Sequence, residues 1–215
     1  NALFDNKTAI MFGDILYSKA FTRLTFMPSK IAYTISNAVT LLSLGEMMDV
    51  DLTNSFNKSY DKYLDMIYKK TASLIEASSK AAAILSKKDE NKYALYGKNL
   101  GLAFQMVDDI LDITQDSKTL GQPAMLDFVE GKVTIPYLLL YERIENKTKL
   151  EALYKKELTS DESLWIKEQM TITRALDDSI ALAKQIGNIA IDAVKDEEDS
   201  ETLIFIMKAM IEREF

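Results

Sequence analysis

The chain has 215 residues, 47% of them hydrophobic and 27% charged, with only seven Gly and three Pro. These proportions exclude disordered and collagen-like chains, and so little Gly and Pro argues for long regular segments and against sandwiches or barrels. Lys and Arg number 26 against 33 Asp and Glu, a net charge of −7, which disfavours nucleic acid or anionic lipid as a partner.

The chain contains no Cys and no His. Disulfides, thiolate zinc sites and thiol nucleophiles are therefore excluded, and any metal would be held by oxygen. No apolar run approaches the roughly 18 residues of a membrane span, and the opening NALFDNKTAI lacks the basic and apolar regions of a signal peptide. The expected location is the cytoplasm.

Apolar residues recur at i, i+3, i+4 and i+7 almost throughout, with no sustained period-two stretch, so the predicted fold class is all-α, one domain over residues 1–215. The first helix runs from about Lys7 to Phe26, where Pro28 stops it, and the second from about Lys30 to Asp51. A third spans about Tyr60 to Leu85. A polar break at Lys87–Glu90 precedes a helix from about Lys92 to Thr114. Gly121, Pro123 and Gly131 then mark a loop directly after that helix, and Pro136 reopens a helix through Arg143. Thr159 and Glu162 have capping-box spacing ahead of Trp165. The last two helices cover about Thr173 to Lys195 and Glu201 to Arg213, separated by an acidic turn at Asp196–Asp199.

The segment Gly101 to Thr114, GLAFQMVDDILDIT, carries the chemistry. At about 100° per residue, Gly101, Gln105, Asp108, Asp109, Asp112 and Asp116 share one sector, and the remaining positions are apolar. Asp108 and Asp112 lie one turn apart with Asp109 beside them, close enough to repel unless solvated or neutralised by a cation. An acidic surface stripe is one reading. The absence of interleaved basic residues other than Lys98 favours the other, a half-site for Mg²⁺, which takes one or two carboxylates plus substrate phosphates. Lys70, Thr71 and Lys132 are then candidate phosphate contacts, a mobile point charge and a hydroxyl donor each suiting diphosphate oxygens, although a helical lysine is also commonly just solvated. Asp49 either faces the same cavity or caps a polar face near Asp51. Asp14 is expected to make a structural hydrogen bond near the cavity, and Asp177 and Asp178 to sit in a helix first turn favoured by the dipole.

GLAFQMVDDILD followed by LGQPAMLDFVEGKVTIP resembles the second aspartate-rich region of the trans-type isoprenyl diphosphate synthases. Supporting matches are GDILYSKAF from Gly13, GEMMD from Gly45, the Lys70–Thr71 pair and the terminal IEREF, like that of bacterial long-chain members. The resemblance spans essentially the whole chain. It implies an antiparallel all-α bundle around a deep central cavity, a homodimer, and Mg²⁺-dependent condensation of isopentenyl diphosphate with an allylic diphosphate to a polyprenyl diphosphate. It implies that Asp108, Asp109 and Asp112 bind metal, that Lys70, Thr71 and Gln105 contact the allylic diphosphate, that Phe104 packs near the allyl group, and that Lys132 contacts substrate. Two departures stand out. The family's first aspartate-rich motif, expected upstream of Asn1 with its N-terminal helices, is not in this sequence, and Gln122 stands where the family usually has a lysine. Two other functions remain open at this level: a terpene cyclase, and a non-catalytic helical partner of a synthase.

Overall fold

A computed structural model describes residues 4–114, 125–198 and 200–212. Among them are eleven α-helices and one π-helical turn, and no strand. Helix α1 (Asn6–Leu24) is capped by Asp5, whose carboxylate accepts the Thr8 N–H at 3.0 Å, and α2 (Ser29–Leu52) starts directly after Pro28. Helix α3 (Tyr60–Ile67), capped by Ser59, runs into a π-turn (Tyr68–Ala72) and then α4 (Ser73–Ser86). Lys87, left-handed at φ 58°, ends α4 at the polar break that the sequence predicts.

Helix α5 (Glu90–Thr114) is the central helix, with α4 and α10 as its most extensive neighbours. After it come α6 (Leu126–Glu130), α7 (Ile135–Arg143), α8 (Lys147–Leu153), α9 (Ser160–Ile172), α10 (Ala175–Val194) and α11 (Glu201–Ile211). The capping box of Thr159 and Glu162 forms as expected, and Asp177 and Asp178 occupy the first turn of α10. That helix begins two residues later than predicted because Arg174 takes a left-handed φ of 57° and separates it from α9.

The core forms where α5 turns Met106, Val107, Ile110 and Ile113 inward, against Ala183, Ala190 and Val194 of α10. Full burial of each large apolar side chain is worth roughly 1.5–3 kcal/mol. A second centre lies beneath α6 and α7, where the rings of Phe128 and Tyr137 stack at 4.3 Å. These two centres hold the ends of α5, α6 and α7 together around one polar cavity.

Two expectations are revised. The Tyr60–Leu85 segment is interrupted by the π-turn rather than running as a regular helix. Asp14 is exposed on α1, a helix with no buried residue, so it is not part of the cavity. Helices α6 and α8 were not anticipated. Asp116, Gly121, Gln122 and Pro123 lie outside the described residues.

Candidate active site

Helix α5 presents Gln105, Asp108 and Asp109 to a cavity of about 250 Å³, whose other walls include Asp49 and Lys70, Tyr63 and Ile67, and Asp127 and Lys132. This volume falls below the roughly 300–1,000 Å³ of pockets that engulf whole drug-sized ligands, and it suits a polar head group.

The position of Lys70 follows from the backbone behind it. The π-turn inserts one extra residue into the helix, a device that re-aims side chains and recurs at functional sites. Two glycines permit it. A Cβ on Gly45 of α2 would collide with the Lys70 backbone, 2.6 Å from its Cα, and one on Gly101 of α5 would sit 2.8 Å from the Ala72 Cβ. Pressed between two bare helix surfaces, the turn directs Lys70 to Asp49 at 2.6 Å and Glu46 at 3.4 Å. Burial works against the Lys70 charge, and these acids outweigh it, raising its pKa. Thr71 donates its hydroxyl to Gln105 Oε1 at 2.9 Å.

Opposite, Lys132 pairs with Asp127 at 2.7 Å and Glu130 at 3.0 Å. Burial again lowers its pKa and the two acids more than compensate. Gly131 at φ 95° ends α6 and reverses the chain so that Lys132 returns over Asp127.

Three aspartates of α5 face three environments. Asp108 is exposed at the cavity. Asp109 is 4% exposed, its Oδ2 accepting from the Tyr63 hydroxyl at 2.7 Å and its Oδ1 from Gln105 Nε2 at 3.1 Å. Burial pushes its pKa up to about 8, the two hydrogen bonds opposing and the charges of Asp127 and Asp108 adding to the rise. Asp112 lies behind the cavity wall, where its carboxylate accepts the N–H groups of Leu126 at 3.1 Å and Asp127 at 3.3 Å. Its pKa rises to about 6, chiefly through burial and then the Asp127 charge.

The structure thus brings together Lys70, Gln105, Asp108, Asp109 and Lys132, with Thr71 bonded to Gln105. It does not bring Asp112 to the cavity, since that residue anchors α6, nor Phe104, which is 40% exposed and outside the lining. Of the two alternatives for Asp49, the cavity-facing one is observed. Sequence reasoning missed Tyr63 and Asp127. For Asp127 a signal existed, five residues before Lys132 in LDFVEGK; for Tyr63, 46 residues from its partner Asp109, there was none.

Among the described residues no three acidic side chains converge on a point that could hold a metal by themselves. The cavity lining nevertheless includes the carboxylates of Asp108, Asp109, Asp127 and Asp49, and the repulsion that Asp127 and Asp108 exert on Asp109 is what a hard cation relieves. The arrangement fits a divalent ion that shares its coordination with phosphate. Lys70 and Lys132 supply the remaining positive charge.

Comparison with known proteins bears on this geometry. Residues 1–170 match the family model described as polyprenyl synthetase. A prenyl transferase of Cyanidium caldarium is 36% identical, over 99% of this chain and 68% of its own length. The octaprenyl pyrophosphate synthase of Helicobacter pylori superposes with a TM-score of 0.89 at 42% identity, covering 97% of this chain and 72% of that one. The polyprenyl synthase of Caulobacter crescentus, solved with calcium and isoprenyl diphosphate, gives 0.84 at 30% identity, covering 96% of this chain and 66% of that one. The chain therefore spans about two thirds of the length of these proteins. Its helices adopt the all-α isoprenoid synthase fold, and the chain belongs to the polyprenyl synthetase family, whose members are prenyltransferases.

Proposed function

We propose that the protein condenses isopentenyl diphosphate with an allylic diphosphate, building a polyprenyl diphosphate of the long-chain bacterial kind. The observation that carries this reading is that one cavity is lined both by acids of α5 and α6 and by a lysine of the π-turn and another after α6. A Mg²⁺ ion held by Asp108 and Asp109 together with phosphate oxygens would supply charge neutralisation for the leaving diphosphate. Lys70 and Lys132 hold their charge against burial because Asp49 and Asp127 stand beside them, and each is thus ready to meet an anionic oxygen. Thr71 gives its one hydroxyl proton to Gln105 Oε1 and so fixes that amide at the cavity.

The reaction requires no nucleophilic side chain. The allylic C–O bond ionises, the alkene of isopentenyl diphosphate attacks that cation to form the new C–C bond and a tertiary cation, and a proton lost from the carbon beside this second cation goes to the departed diphosphate as the product double bond forms. Water must be kept away from that cation. Met66, Ile67, Leu52 and Val133 give the cavity its apolar share.

A homodimer is part of the proposal. Along α1 the side chains of Ile10, Met11, Leu16 and Tyr17 are exposed, as are Tyr33, Leu44, Met47 and Val50 on α2, an apolar extent that a second copy would cover. Among the described residues no helix is long and apolar enough to cross a membrane.

Incubation of the full-length chain with Mg²⁺, labelled isopentenyl diphosphate and farnesyl diphosphate tests the reading. Elongated polyprenyl diphosphates are expected, and Asp108→Ala should lower the rate by at least 10²-fold with helix content unchanged, as for loss of a charge-stabilising group. A cyclic product formed without isopentenyl diphosphate would indicate a cyclase, and no product from the full-length chain a non-catalytic partner.

A further inference from the structure

Tyr63 is buried at 1% exposure on α3, and its hydroxyl is the point where α3 meets α5. It donates to Asp109 Oδ2 on α5 at 2.7 Å. A tyrosine hydroxyl has one proton and an ionised carboxylate can only accept, so that proton points to Asp109.

The other side of Asp109 is fixed by the same logic. Thr71 donates to Gln105 Oε1, which sets the orientation of that amide and leaves Nε2 to donate to Asp109 Oδ1 at 3.1 Å. Both carboxylate oxygens thus receive a donor, each keeping a further acceptor site. This is a cradle for an ionised carboxylate, yet no lysine or arginine among the described residues forms an ion pair with Asp109. A buried carboxyl with two neutral donors and no cation of its own is arranged to meet a cation from outside in its ionised form.

We infer that Tyr63 is a positioning residue: it fixes the carboxylate plane of Asp109, so that this acid meets a divalent cation in one orientation. Through Gln105 the same chain of hydrogen bonds reaches Thr71 and the π-turn that carries Lys70, joining the cation side of the cavity to its diphosphate side. The inference rests on the reading of Asp108 and Asp109 as cation-binding residues.

The test is Mn²⁺ binding to the full-length chain in the presence of inorganic pyrophosphate, read from the paramagnetic resonance of free Mn²⁺. Four proteins are compared: wild type, Asp108→Ala, Tyr63→Phe and Tyr96→Phe. Tyr96 is a control, a buried α5 tyrosine whose hydroxyl serves the Leu203 carbonyl at 2.9 Å, away from the cavity. Tyr63→Phe should weaken Mn²⁺ binding by about 10–100-fold, the usual cost of losing a group that orients a metal ligand, and Tyr96→Phe should leave it unchanged. Wild-type affinity in Tyr63→Phe, or an equal loss in Tyr96→Phe, overturns the inference while leaving the functional reading intact. Wild-type affinity in Asp108→Ala instead overturns the reading itself. Should Tyr63→Phe not fold, wild-type protein labelled at the tyrosine Cζ with carbon-13 decides the matter. Mg²⁺ with pyrophosphate should shift one buried tyrosine resonance, absent that response in Asp108→Ala; no responding tyrosine contradicts the inference.

Discussion

At Asp109, burial and hydrogen bonding pull in opposite directions. Removal from water favours the neutral acid, the donors Tyr63 and Gln105 favour the anion, and burial prevails, holding the pKa at about 8 against an ordinary 3.8. Asp112 is displaced in the same sense to about 6. In the absence of metal, the folded protein therefore holds protons on these acids that the unfolded chain has already released. Stability should consequently fall as pH rises from about 4 to about 8, the part above pH 6 belonging mainly to Asp109. Thermal unfolding of the metal-free protein checks this: Tm declines across that window, and Asp109→Asn, which cannot ionise, flattens the decline above pH 6. A wild-type Tm that rises between pH 6 and pH 8 would contradict it. The acidic cluster itself was legible from spacing alone. Its division into an exposed, a cradled and a backbone-capping aspartate was not, because that division comes from Tyr63, Leu126 and Asp127, contributed by α3 and α6 rather than by α5's own turn.

At the scale of elements, helices with an apolar stripe and a chemical stop were legible: Pro28 before α2, the capping box before α9, the polar break after α4. The π-turn was not, since one inserted residue leaves the apolar pattern of Tyr60–Leu85 reading as helix. Its physical cause lies in Gly45 and Gly101, far from it in sequence. Two glycine substitutions separate packing from propensity. On a helix, Ala is favoured over Gly by about 0.5–1 kcal/mol. Gly13 on α1 has nothing within 4 Å of a new Cβ, so Gly13→Ala should stabilise by about that amount. At Gly101 the obstacle is the Ala72 backbone, which no rotamer change can move, and overpacking of about 1–3 kcal/mol should exceed the propensity gain. Urea unfolding of both variants is the measurement; a stabilised Gly101→Ala would show that the π-turn is not held there.

For the molecule as a whole, the all-α class followed from scarce Gly and Pro and a pervasive helical period, and residues 1–170 match the polyprenyl synthetase family. What no single segment contained was the meeting of α5 with the π-turn and with the chain after α6. Lys70 and Asp109, and likewise Asp108 and Lys132, come to line one cavity only when α5 is packed in the centre of the bundle. Phe104 illustrates the converse: a motif neighbour of Gln105, it turns away from the cavity by one step of the helix. The central claim is that this cavity binds a divalent cation and a diphosphate together. A crystal structure of the full-length chain with Mg²⁺ and a non-hydrolysable bisphosphonate tests it most directly. The account predicts a Mg²⁺ ion at about 2.0–2.1 Å from Asp108 oxygen, with Lys70 and Lys132 on the phosphonate oxygens. A cavity without metal, with Asp108 and Asp109 in contact only with water and protein while the bisphosphonate is bound elsewhere, would contradict it.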